Sequence, residues 1–166
     1  MPATALSRRV ANFFLGDDEV KVITIHELTR ELLGPATKKN LRSVSKATRM
    51  AIGLLLRRDP PLVLATLWEK DLLAAASDTP LSESESDAFS RMRSSSRGQS
   101  CIAGYVVWSE ETKGLVKLAI ARQNNGTEKQ RQRLHEMVQS AKKRGLLTEE
   151  ESMLFNRQLV LPRGEN

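Results

Sequence analysis

The stretch Cys101-Ile102-Ala103-Gly104-Tyr105-Val106-Val107-Trp108 decides the fold class. Ile102, Val106 and Val107 are β-branched and suit a strand, which could close a hairpin with Leu115 to Ile120. Read as helix, the same residues leave a chain with no sheet. Downstream, Ser109-Glu110-Glu111 opens a helix that Asn124-Asn125-Gly126 ends. Thr127 with Gln130 caps the next helix, Gly145 ends it, and Thr148 with Glu151 caps a third. Surrounded by this punctuation, residues 101–108 are read as helix, and the expected fold class is all-α.

Upstream the pattern is similar. Leu6, Val10, Phe13 and Phe14 recur at the i, i+4, i+7, i+8 spacing of one helix face, which buries the Phe pair, and Gly16-Asp17-Asp18 ends it. Val20-Lys21-Val22-Ile23 could form a short strand. Thr24 and Glu27 have capping-box spacing, predicting a helix from about Ile25 to Leu33 stopped by Gly34-Pro35. Asp59 before Pro60 reads as an N-cap with proline at the first helical position, and Leu64, Leu67, Trp68 and Leu72 would face inward from a helix fading in Ala74-Ala75-Ala76. Residues 77–100 are rich in Ser and poor in aliphatics, the composition of a linker. The expected organisation is an N-terminal helical lobe at 1–76, a Ser-rich linker at 77–100 and a C-terminal helical lobe at 101–166, two small helical bundles in all.

Across 166 residues, 26 Lys and Arg oppose 20 Asp and Glu, a net charge of +6. Both expected lobes are basic and the middle is near neutral, so polyanions are the natural partners. Apolar residues make up 40% and aromatics 4%, so the core is aliphatic and the chain can bury one. The single Cys101 can form no internal disulfide. No basic stretch leads into an apolar one at the N-terminus, and Pro2 stands where N-myristoylation needs Gly. No apolar run approaches the roughly 18 residues of a spanning helix. The expected location is intracellular, with any membrane contact peripheral.

The clearest functional feature is Thr37 to Arg57. At helical periodicity Leu41, Val44, Thr48, Ala51, Ile52 and Leu55 cover one face, while Lys38, Lys39, Arg42, Lys46, Arg49 and Arg57 gather on the other. No acidic residue interrupts the segment. A solvated helix face usually mixes signs, so this one either meets an anion or tolerates its own repulsion. A basic stripe along a helix suits phosphates spaced along a backbone or the headgroups of an acidic membrane. A second cluster comprises Lys129, Arg131, Arg133, Lys142, Lys143 and Arg144, where the last three also complement a helix C-terminus.

Catalysis finds little footing. His26 and His135 lack partners at metal-ligand spacing, Cys101 has no basic neighbour to activate it, and the glycines form no phosphate cradle. The expected protein is not an enzyme and takes no metal or cofactor.

Thr112-Lys113-Gly114-Leu115 opening an apolar helix, followed by Gln130-Arg131-Gln132-Arg133 leading into Met137-Val138-Gln139, resembles the matrix proteins of influenza-like viruses (orthomyxoviruses). The resemblance covers about 30 of 166 residues. It implies the N-terminal domain of a viral matrix protein: two helical bundles, self-associating as a homo-oligomer beneath the virion envelope, touching acidic membrane and RNA or ribonucleoprotein through basic helices. A helix-turn-helix DNA-binding module is the alternative, with Ile25 to Leu33 and the helix from Thr37 as its pair and Asn40 as a base-reading residue near the helix start.

Overall fold

Ile102–Val107 is a strand, β3, and it overturns the all-α expectation. It lies in the middle of a three-stranded antiparallel sheet of order β1-β3-β2, with β1 at Val22–Thr24 and β2 at Leu64–Trp68. The computed structural model describes residues 5–16, 20–70, 81–94, 101–124, 127–151 and 153. The strand wins because its side chains are wanted on both sides. Tyr105 joins one hydrophobic cluster while Ala103 and Val106 join another, so the run reads as continuously apolar and periodicity cannot separate it from a buried helix. Its partners are β1 and β2 rather than Leu115 to Ile120, which lie in a helix.

The helix expected after Asp59 is replaced by β2. Pro61 follows Pro60, and a residue before proline is pushed out of the helical region into extended conformation. The chain then runs straight into Leu64–Trp68, where Leu64 faces one cluster and Ala65 and Leu67 the other. The expected helical residues 72 and 74–76 lie outside the described residues.

Among the described residues, seven elements surround the sheet. On one face lie α1 (Ala5–Leu15), α2 (Ile25–Leu32) and α3 (Lys38–Arg57), packed through Val10, Phe14, Leu28, Val44 and Leu55 onto Ile23, Leu64 and Tyr105. On the other lie α4 (Glu83–Ser94), a 3-10 turn (Glu110–Thr112), α5 (Lys113–Asn124) and α6 (Glu128–Lys143). These pack through Met92, Leu115, Leu134 and Met137 onto Leu67 and Val106. The architecture is a small antiparallel sheet between two helical layers, with strands drawn from both sides of the Ser-rich stretch. Two separate helical bundles, whether expected from punctuation or implied by the matrix resemblance, are not what the chain builds.

Part of the stretch read as linker is helix α4, which buries Glu85, Ala88, Phe89 and Met92. Residues 77–80 and 95–100 of it lie outside the described residues. The three capping boxes read from the sequence are formed, whereas the N-cap expected at Asp59 has no helix to cap. Thr24 Oγ1 accepts from Glu27 N at 3.0 Å while Glu27 Oε1 accepts from Thr24 N at 2.9 Å, and Thr127 with Gln130 repeats the exchange. Thr148 and Glu151 do the same. There the Thr148 amide, with Lys113 nearby, holds the Glu151 carboxyl below its ordinary value.

Candidate functional site

Helix α3 starts where the sequence says it should: the Thr37 hydroxyl accepts from the Asn40 amide at 3.2 Å. Its core face is Leu41, Val44, Ala47, Thr48, Ala51 and Leu55. At about 100° per residue, Lys38, Lys39, Arg42, Lys46, Arg49 and Arg57 fall within about 100° of arc on the far side. All six are exposed. Among the described residues, no Asp or Glu pairs with any of them. The segregation expected from the sequence is therefore present in three dimensions, and the repulsion along it is uncompensated by described carboxylates.

Helix α6 lies beside the C-terminal half of α3. It turns Gln130, Arg133, Met137, Ser140 and Arg144 toward α3, an i, i+3, i+7, i+10, i+14 stripe. The helices run in the same direction, because residues 45–52 of α3 share one cavity with 130–137 and residues 56–58 share another with 140–144. Gly53 lies where they approach. A Cβ there would sit 3.4 Å from Arg133 Nη1 and 3.4 Å from Arg57 Nη2, so guanidinium groups from both basic clusters lie over the same point of the α3 backbone.

The first cavity, about 220 Å³, has Arg49 and Arg133 in its walls with Ser45, Thr66 and Gln130, over an apolar floor that includes Ile52, Leu64 and Met137. No carboxylate lines it. Arg133 is half-buried, yet its Nη1 is sealed from solvent without a hydrogen-bond partner among the described residues. The second, about 540 Å³ and more open, brings together Arg57, Arg58, Lys143 and Arg144 with a single acid, Asp59. Arg144 Nη1 donates to the Pro61 carbonyl at 2.6 Å, fixing the end of α6 against the turn after α3.

The structure thus joins Arg49, Arg57, Arg133, Lys143 and Arg144 from two clusters that are separate in sequence. Lys38, Lys39, Arg42 and Lys46 extend the same face toward the start of α3. Lys129 is exposed near the start of α6. Arg131 lies about 200° around α6 from Arg133 and does not join this face. Lys142 is paired with Glu149 at 3.4 Å. Arg58, Ser45 and Thr66 were not singled out from the sequence, and Gln130 was read only as the cap partner of Thr127 and within the resemblance, since only the packing of α6 and β2 against α3 brings them to this site. Asn40 directs Nδ2 to the Pro35 carbonyl at 2.8 Å, so the side chain expected to read a base edge is turned back onto the helix entry.

Among the described residues, no helix is long and apolar enough to cross a membrane, and no three His, Cys, Asp or Glu side chains gather as metal ligands. No protein-family model matches the chain, and no curated protein or solved structure is significantly similar to it.

Proposed function

We propose that the protein binds RNA along its phosphate backbone, without sequence discrimination, through the outer face of α3 extended by α6, in a non-enzymatic role. One observation carries this reading: α3 and α6 lie side by side in parallel, so two basic clusters merge into one face whose cavities hold Arg49 with Arg133 and Arg57 with Lys143 and Arg144. A 20-residue helix is about 30 Å long, a span that meets several successive phosphates.

Acidic membrane is the less favoured partner. Helices that lie on bilayers insert large apolar side chains beside their basic ones. The exposed large hydrophobics among the described residues are Leu15 and Met153, neither of them on this face. The helix-turn-helix reading loses support with Asn40 engaged at Pro35. Self-association as a matrix layer is implied by the resemblance at Thr112–Leu115 and Gln130–Gln139 alone.

Titrating salt against binding of a random single-stranded RNA tests the proposal. Log K should fall linearly with log salt, by about 0.7 per phosphate neutralised. Replacing Lys38, Arg42 and Lys46 together with Ala should lower that slope by about 2 and weaken binding equally for unrelated sequences. These side chains are exposed, so thermal stability should be unchanged. A triple variant that binds with the original slope would reject the face.

A further inference from the structure

The cavity between Arg49 and Arg133 differs from the open face around it, and we infer that it is a subsite for a phosphomonoester, the terminal 5′-phosphate of a bound strand. This rests on the RNA-binding reading and adds a place where the strand begins.

Three features carry it. The first is charge. Arg133 sits half-desolvated, with Nη1 sealed over Gly53 and without a hydrogen-bond partner among the described residues, and with the like charge of Arg57 at the same point of α3. Arg133 also lines the cavity together with Arg49, and no carboxylate lines the space. Two cations lining one space without a carboxylate call for an anion between them. A phosphomonoester carries about −1.5 to −2 at neutral pH and matches two guanidiniums, whereas an internal phosphodiester brings a single charge.

The second is donor chemistry. Arginine forks fit phosphate oxygens in pairs, and the Ser45 and Thr66 hydroxyls with the Gln130 amide supply further neutral donors in the same walls. The third is shape. About 220 Å³ is roughly seven water volumes at about 30 Å³ each, room for a phosphate and part of the ribose that bears it. Leu64, Thr66 and Trp68 of the edge strand β2 line one side of the space.

The test compares one short single-stranded RNA bearing a 5′-phosphate with the same RNA bearing a 5′-hydroxyl, at about 150 mM salt, on the full chain. The phosphorylated form should bind at least about tenfold tighter. Arg133→Gln and Arg49→Gln should each erase that preference, bringing the two RNAs to one shared and lower affinity, since each variant also removes a cation from the binding face. Circular dichroism checks that each variant is folded. Should Arg133→Gln unfold, Arg133→Lys is measured instead, and it should lose most of the preference because it keeps the charge without the fork.

Equal affinity for the two RNAs would overturn the subsite while leaving the RNA-binding face standing. If neither RNA binds but a nucleoside 5′-monophosphate raises the melting temperature of the wild type and not of Arg133→Gln, the phosphate site stands, a free nucleotide is its source, and the RNA reading falls. No RNA binding and no such shift would overturn both.

Discussion

Arg133 concentrates the tension between stability and binding at a single side chain. A half-buried guanidinium whose Nη1 lacks a partner, close to the like charge of Arg57, costs the fold more than an apolar side chain of similar length would. Arg133→Met should therefore raise stability by about 1 kcal/mol in a buffer free of phosphate and nucleic acid, read as a higher midpoint in a thermal or denaturant melt. A lower midpoint would mean that the guanidinium is held for structure. The charges of this site were legible residue by residue, because helical phase alone sorts Lys38, Arg42 and Arg49 from Leu41, Val44 and Leu55. What sequence could not give is Gly53. Its role depends on which helix comes to lie against it, and nothing in the spacing of α3 encodes the approach of α6.

At the scale of elements, α4 is the instructive case. Its buried positions Glu85, Ala88, Phe89 and Met92 have helical i, i+3, i+4, i+7 spacing, but a carboxylate occupies the first slot and serines surround it. Glu85 accepts from the Ser82 amide at 3.0 Å and from the Leu115 amide at 2.9 Å, so it caps its own helix and ties it to the start of α5. A composition that looks unable to bury anything therefore buries its acid against two backbone donors. Glu85→Ala should cost about 2–3 kcal/mol, the loss of charge-assisted hydrogen bonds at a buried site. The midpoint of urea unfolding measures it, and a change below about 0.5 kcal/mol, the size expected of a surface substitution, would return the segment to the status of a linker. Elements with ordinary caps, such as α2 and α6, were legible because Thr24 with Glu27 and Thr127 with Gln130 satisfy local donors whatever the tertiary context.

For the whole molecule, the sheet is the part that local reading missed. Each strand is short, and side chains on both faces are buried, so alternation gave no signal. The central position of β3 depends on pairings with Thr24 and Leu67, which lie far off in the chain. Gly104 marks where the layers meet: a Cβ there would clash with the Ile23 carbonyl and reach within 2.9 Å of Met92 Cε. Gly104→Ala should destabilise by about 1–3 kcal/mol through overpacking, and it should loosen α4 as well as the sheet. Hydrogen exchange at the β1 and α4 amides would show both, and protection lost from β1 alone would separate the layers.

The order of strands also sets a timetable for synthesis. Thr24 leaves the ribosome about eighty residues before its partner Gly104, a delay of roughly 4–16 s at 5–20 residues per second. For the second half of that interval, once Trp68 has been made, β1 and β2 are side edges without a centre, since neither pairs with the other. A nascent chain stalled before Ile102 should expose both edges to any passing strand, making it the species a chaperone meets first.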